Sequence, residues 1–397
     1  MISGKDIVIV GQQAWDVEIG SNCKNIALEL SKYNRVLYIN SPLDRITKIR
    51  HGRDTKVVKR IEIIDGKKNG LEKVKSNLWT YYPDILIESI NWIQIHKLFV
   101  FLNKRNNRLF AKSIQRPIRE LGFTNWLLFN DSDIFRSFHL KEILQPTLSI
   151  YYSRDNMIVT DYWKRHGKIL EPKLIRDSDL CVTNSEYLRQ YCETYNSNSY
   201  YIGQGCDLEM FKHVDSKDIP SSLQQLRKPL IGYVGALTAT RLDINLIQLI
   251  AERLPAWNIV LVGPEDSVFK KSELHSMKNV HFLGSKKPEE LPKYINSFDV
   301  CINPQILNDF TIGNYPRKID EYLALGKPVV ATKTDTMLAF KDHVSLAESY
   351  TDFIDLIEKS FTENSTELER KRKQFAFSHS WENSVREMSL FTNKHLA

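Results

Sequence analysis

The chain has 397 residues, more than a single hydrophobic core usually supports, so two domains are expected. Apolar residues make up 42% and charged residues 26%, a balance that excludes a disordered chain and lets each half bury an ordinary core. The net charge of +7 is lopsided: residues 1–120 hold 22 Lys/Arg against 12 Asp/Glu, and the remainder holds 33 against 36. A basic N-terminal half either meets an anionic partner or is simply a solvated face, and composition leaves both readings open. The candidate partners are an anionic membrane surface and a lipid diphosphate; nucleic acid is not expected. Cys23, Cys181, Cys192, Cys206 and Cys301 are scattered, odd in number and without a CxxC pair. That argues against a disulfide framework or a zinc site and for a reducing cytoplasm. The opening MISGKDIVIVG reads as a first strand and not as a signal peptide, and no apolar run nears the roughly 20 residues of a membrane span. The expected location is cytoplasmic, peripheral on the inner face of the cell membrane if the basic half meets lipid.

In chain order, the β-branched run 6–11 ends in Gly11, residues 20–33 have mostly helical spacing, and 35–40 is the next strand. Further strands are expected at 79–82, 126–130, 147–153, 179–184 and 199–203, with helical stretches between most of them. Segment 85–119 is the least regular: Trp92, Ile93, Ile95 and Leu98–Leu102 precede Lys104, Arg105, Arg108, Lys112, Arg116 and Arg119. It reads either as a core helix followed by a solvated basic helix or as a helix lying in a membrane interface. The polar stretch 214–229 reads as a linker. The pattern then restarts, with strands at 230–237, 258–263, 280–284, 299–304 and 328–332 and helices near 242–253, 288–297 and 316–325. Alternation of this kind predicts an α/β chain of two doubly wound, Rossmann-like parallel-sheet domains, 1–212 plus 378–397 and 228–377. Ligands of such sheets bind at the C-terminal ends of the strands.

The strongest local signal is GNYPRKIDEYLALGKPVVAT, residues 313–332. Gly313 and Asn314 make a turn, Pro316 suits a first helical position, and Gly326 suits the residue after the helix. A helix start behind a loop with free N–H groups favours an anion. Arg317 and Lys318 in that first turn make sense if an anion binds. Otherwise Arg317 pairs with Glu321 at i,i+4, which is the expectation for it, and Lys318 faces water.

This stretch resembles the GT-B glycosyltransferases, in particular the large retaining family of bacterial polysaccharide and glycolipid glycosyltransferases. The resemblance rests on Glu321-Tyr322-Leu323-Ala324-Leu325-Gly326-Lys327-Pro328-Val329-Val330-Ala331-Thr332. It implies that Glu321 accepts hydrogen bonds from the donor ribose, and that Gly313, Asn314 and Tyr315 bind diphosphate and sugar. The family's earlier glutamate, eight positions before Glu321, is Gly313 here; a divergent branch instead reads Pro-x-Lys, as Pro316-Arg317-Lys318 does. Asn308 and Asp309 are candidates for the missing carboxylate's place. In IGYVGALTATRLD, residues 231–243, Gly235 and Leu237 match, and Arg241 stands at the usual diphosphate-binding lysine. The alternative for Arg241 is a surface residue pairing with Asp243 or Asp266. A second common cation is replaced by Ala236, with Lys318 as substitute. Gly263 and Gly284 follow the family's strand–glycine pattern, and SHSWE, 378–382, resembles the entry into a closing helix that crosses back to the first domain.

In the N-terminal half Gly11, Trp15, Gly20 and Ser21 occupy the place of the family's acceptor-side loop, joined by Arg154. Asp155 either orients and deprotonates an acceptor hydroxyl or caps a helix. The Asp-x-Asp at 131–133 is read as a decoy, with Asp133 a ready N-cap, and the histidines show no metal spacing. The resemblance implies a metal-independent, retaining hexosyl transfer, with no cofactor. A sugar moves from a UDP- or GDP-sugar to a glycan or lipid-linked acceptor in cell-surface polysaccharide biosynthesis. A nucleotide-sugar epimerase and an idle partner in an assembly complex are the alternatives.

Overall fold

The computed structural model of the protein describes all residues except 18, 19, 216, 217, 309, 310, 314 and 397. The chain divides into two units, Met1–Gly203 with Trp381–Ala397, and Gln204–Ser380. The first unit opens with β1 (Asp6–Val10), α1 (Asn22–Leu30), β2 (Arg35–Ile39), β3 (Leu43–Asp44), α2 (Arg45–His51) and α3 (Thr55–Ile64). Then follow β4 (Leu71–Lys75), β5 (Leu78–Tyr81), β6 (Leu86–Ile87), α4 (His96–Glu120), β7 (Leu127–Asp131) and α5 (Leu140–Leu144). It continues with β8 (Leu148–Ser153), α6 (Asp161–Asp177), β9 (Leu180–Thr183), α7 (Glu186–Glu193) and β10 (Ser199–Tyr201). Eight strands form a sheet in the order β10-β9-β8-β7-β1-β2-β5-β4. Every pairing in it is parallel except the antiparallel edge pair β4–β5, which was not expected. Strand order reverses between β1 and β7.

The β1, β7 and β8 residues are fully buried, as strands covered on both faces require. One face packs Ile7, Ile9 and Phe129 against α1; the other packs Val8, Val10 and Leu128 against Phe110 and Ile114 of α4. Segment 85–119 contributes one helix of 25 residues and not two. Its inward stripe buries Phe99, Asn103, Phe110 and Ile114.

The second unit contains β11 (Leu230–Val234), α8 (Ile244–Arg253), β12 (Asn258–Val262), β13 (Val280–Phe282), α9 (Leu291–Ser297) and β14 (Val300–Asn303). It ends with α10 (Lys318–Ala324), β15 (Val329–Thr332), β16 (Ser345–Ala347), α11 (Tyr350–Thr362) and α12 (Thr366–Ser378). Its six strands are all parallel, in the order β13-β12-β11-β14-β15-β16, the doubly wound arrangement in which direction reverses between β11 and β14. Residues 204–212, expected with the first domain, group with this unit because Leu208 and Phe211 are buried against its core with Tyr294 and Phe298. Leu223, inside the stretch read as a linker, joins the same core. The last helix, α13 (Trp381–Leu396), returns to the first unit, where Trp381, Val385 and Met388 bury beside Ile26 and Leu30. No helix among the described residues is long and apolar enough to cross a membrane.

One buried group gives the first unit a pH dependence. Glu171 on α6 is 2% exposed and accepts hydrogen bonds from Tyr151 Oη (2.7 Å) and Tyr191 Oη (3.1 Å). Burial pushes its carboxyl up to about 7, against the partial pull of the two hydroxyls. Between its ordinary value and about 7 the folded chain keeps a proton that the unfolded chain has lost. This residue's contribution is therefore largest at low pH and falls as pH rises through that window. Urea unfolding at pH 5 and pH 8 is expected to show Glu171→Gln gaining on the parent chain by on the order of 3 kcal/mol at the higher pH.

Candidate functional site

In the second unit the loops after β11, β12 and β13 all turn on glycine. Gly235 and Gly263 have φ of +141° and +150°, and Gly284 has φ of +65°. A Cβ on Gly263 would sit 1.9 Å from the Gly235 carbonyl oxygen, so the two loops approach as closely as glycine permits. Gly235 N–H donates to Val262 O (2.9 Å), Gly263 N–H to Gly284 O (3.0 Å) and Leu237 N–H to Pro264 O (2.8 Å), which sets the three loops in register at the C-terminal strand ends. Leu237 is itself fully buried and serves the core.

Lys318 reaches this place from α10. Its ammonium lies 4.1 Å from the centroid of the Tyr233 ring and hydrogen-bonds the Tyr233 hydroxyl. A Cβ on Gly235 would come within 2.9 Å of Lys318 Nζ, so the cation stands directly at the Gly235 turn. The helix beneath is pinned by Tyr322, whose hydroxyl accepts from Val234 N–H (2.8 Å) at the end of β11. Gly326 closes the helix with φ +75°, its N–H on Leu323 O and that of Lys327 on Tyr322 O, the expected glycine cap.

Three expectations are corrected here. The helix begins at Lys318 with Arg317 at the N-cap, so Pro316 precedes it and does not form its first turn. Arg317 makes no ion pair with Glu321 among the described residues; its Nε is buried without a hydrogen-bond partner, because the N-cap position turns it inward. Asn308 is committed to loop structure, accepting from Thr311 N–H (3.0 Å) and donating to Thr240 O (3.0 Å). Asp309 and Asn314 lie outside the described residues. Glu321 is half-buried, and no hydrogen bond or ion pair to its carboxylate occurs among the described residues. Burial pushes this carboxyl up, Arg317 and Lys318 pull it down, and Asp320 pushes it up again.

Arg241 is exposed on the loop after β11, which is tied to the loop after β14 through Ile306 N–H on Arg241 O (2.9 Å). The carboxylates suggested as its partners have other work. Asp243 caps α8 through Leu246 N–H (3.1 Å), and Asp266 accepts from the N–H groups of Ala239, Val268 and Phe269. Gly313 is buried. The Tyr315 ring packs on Phe340, and its hydroxyl bonds His379 Nδ1 at 3.2 Å. His379 Nδ1 also hydrogen-bonds the fully buried Asp320 at 2.6 Å, a contact that sequence spacing missed because the partners are 59 residues apart.

In the first unit a polar cluster gathers where the strand order reverses. Gln12 N–H donates to Asp131 Oδ2 (3.2 Å), and Arg154 donates from Nε to Asp131 Oδ1 (2.7 Å), from Nη1 to Asp155 Oδ2 (2.8 Å) and from Nη2 to Gln12 Oε1 (3.2 Å). Burial opposes the Arg154 charge, but Asp131 and Asp155 outweigh it and hold the guanidinium protonated. Asp131, half of the decoy motif, is thus a member of this cluster, whereas Asp133 accepts from Arg136 N–H (2.9 Å) in a turn; it is not the expected helix N-cap, because 134–139 is a turn and α5 has His139 at that place. No group of three metal-ligating side chains occurs among the described residues. Gly11 is required because a Cβ there would fall 1.9 Å from Tyr38 Oη. Trp15 stacks edge-on against Tyr38 at 5.0 Å, and its N–H donates to Asn40 Oδ1 (2.7 Å). Ser21 is the N-cap of α1, accepting from Lys24 N–H at 3.2 Å, and Gly20 is exposed. Asp155 is not the cap of α6, a place held by Thr160.

Residues 228–359 match the family of Glycosyl transferases group 1. A putative teichuronic acid biosynthesis glycosyltransferase, TuaH of Bacillus subtilis (strain 168), is 26% identical over 278 residues, covering 62% of this chain and 69% of that protein. Sucrose-phosphate synthase from Thermosynechococcus elongatus superposes with a TM-score of 0.65 at 14% identity, over 99% of each chain. Anabaena HepE in complex with UDP superposes with a TM-score of 0.64 at 14% identity, over 98% of this chain and all of that one. The last two likenesses are of fold. The family match identifies residues 228–359 as a group 1 glycosyltransferase domain, the match to the teichuronic acid relative accords with a glycosyltransferase, and the superpositions give the chain the GT-B fold.

Proposed function

We propose that the chain moves a hexosyl group from a UDP- or GDP-sugar to a glycan or lipid-linked acceptor in cell-surface polysaccharide biosynthesis, without a metal and with retention. The observation that carries the reading is the Lys318 ammonium at the Gly235 turn, beside the point where the second sheet reverses direction. A nucleoside diphosphate leaving group gains negative charge as the glycosidic bond breaks. Lys318 and Arg241 are the cations for that charge, and Arg317, with its orphaned Nε, adds a third. The glycine turns after β11, β12 and β13 present backbone to the phosphates, and Gly313 with Tyr315 flanks the sugar. Glu321, whose carboxylate is uncommitted among the described residues, accepts two hydrogen bonds from the ribose diol. The anionic cluster of Asp131 and Asp155, with Arg154 between, is the group in the first unit suited to orient an acceptor hydroxyl, Asp155 being the more exposed carboxylate. Retention rests on the family resemblance. The polysaccharide setting rests on the teichuronic acid relative, and the UDP donor on the ligand of HepE.

Titration calorimetry with UDP and GDP, followed by transfer from the sugar derivatives of the base that binds, tests the reading. Transfer to an added acceptor is expected, with the anomeric configuration of the product reporting retention. Isomer formed without acceptor makes the chain an epimerase, and nucleotide binding without turnover makes it an idle partner.

A further inference from the structure

One face of the first unit is built unlike the rest of its surface. Trp92, Ile95 and Phe101 are 70%, 66% and 69% exposed, and Ile49 on α2 is 75% exposed. Such side chains scattered singly need no explanation, but these are gathered. Trp92 and Ile95 lie in the turn that leads into α4, and Leu98 and Phe101 follow on its outward face at i and i+3. Ile46 of α2, Trp92 and Tyr162 rim the same cavity of about 460 Å³. Most polar groups inside that cavity are already satisfied: Asn103 donates to Phe135 O (2.9 Å), Asn106 to Glu88 O (2.9 Å), and Arg136 pairs with Asp133 at 2.7 Å, whereas Asn91 Oδ1 is buried without a partner. What the opening offers a guest is therefore mainly hydrocarbon, from Ile90, Phe99 and Phe135.

Cations share the segments that carry the apolar side chains. Lys48, Arg50 and Arg53 on or beside α2, and Lys97, Arg105 and Arg108 on α4, make no ion pair among the described residues. A phosphate backbone would use the cations and leave the aromatic and aliphatic groups in water. A neutral apolar partner would leave the cations unused. A lipid surface uses both at once, with hydrocarbon below and phosphate above. We propose that this face seats the chain on an anionic bilayer, with Trp92, Ile95, Phe101 and Ile49 in the acyl boundary and the six cations among the headgroups. The solvated-helix reading of segment 85–119 is thereby replaced for its first turns. The proposal is independent of the donor site, and its test needs no nucleotide.

The experiment is co-sedimentation of the full chain with vesicles of phosphatidylcholine alone and of phosphatidylcholine with phosphatidylglycerol. Binding is expected only to the anionic vesicles and is expected to fall with salt. Two variants are compared, the apolar triple Trp92→Ser, Ile95→Ser, Phe101→Ser and the charge pair Arg105→Glu, Arg108→Glu; each is expected to weaken partitioning by about tenfold or more. All five side chains are exposed, and unchanged thermal unfolding of either variant confirms that the loss is local. Failure of the parent chain to bind anionic vesicles overturns the proposal, as does binding that survives both sets of changes. Self-association abolished by the apolar triple, in a chain that ignores vesicles, makes the face a contact between copies and equally overturns it.

Discussion

Replacing Glu321 by alanine is expected to weaken nucleotide affinity by about 100-fold or more, with the fold intact. The magnitude follows from two hydrogen bonds to a charged acceptor, each worth about 1.5–3 kcal/mol. The intact fold follows from the local structure. Glu321 makes no hydrogen bond or ion pair within the described residues, while its neighbours Asp320 and Tyr322 anchor α10 to His379 and to the end of β11. A carboxylate that burial disfavours and that bonds nothing among the described residues gains most from a ligand supplying two hydroxyl donors. Calorimetry with UDP and GDP on the parent chain and the variant measures the difference directly. Equal affinities in the two proteins would move the ribose away from α10. Glu321→Gln keeps the shape and removes the charge, and an intermediate loss is expected from it.

Replacing Lys318 by methionine is expected to lower kcat by about 100- to 1,000-fold while nucleoside recognition through Glu321 persists. Methionine keeps the packing on the Tyr233 ring, so the change removes the charge at the Gly235 turn with little loss of fill. The cation contact itself is worth only about 1 kcal/mol to stability, so a folding defect is not the expected cause of the lost turnover. Thermal unfolding of the variant, with rates normalised to the folded fraction, separates the two effects, since loss of folded enzyme lowers the apparent kcat at unchanged KM. Turnover that survives in Lys318→Met would pass the leaving-group charge to Arg241 and Arg317. Arg317 was expected to pair with Glu321 at i,i+4. That pair is absent, so Arg317→Ala belongs in the same series as a second cation change.

The difference between these residues shows how far local pattern carries. Strands at 230–234, 258–262, 300–303 and 329–332 were legible because each is a short β-branched run buried on both faces and punctuated by glycine or proline. The edge strand 71–75 was not, since LEKVK is half exposed and takes its conformation from its partner 78–81. Gly235 and Gly263 were legible as turn residues from their place after strands; that Gly263 excludes a side chain because of the Gly235 carbonyl, and Gly235 because of Lys318, was not. Asp131 looked like half of a metal motif with Asp133, yet the two carboxylates serve different partners, Arg154 and Arg136. Arg317 and Glu321 have the spacing of an ion pair, but a shift of the helix start to Lys318 removed the geometry.

Sequence alone determined the alternating α/β order, the two sheets, the glycine-ended strands and the motif at 313–332, because these depend on periodicity and on backbone conformations that few residue types adopt. Tertiary structure alone decided which polar and charged groups meet: Lys318 with Tyr233, His379 with Asp320, and Arg154 with Asp131 and Asp155. Strand order, and not chain order, decides which loop ends become neighbours, and parallel crossovers bring together residues many positions apart. No local pattern records those distances.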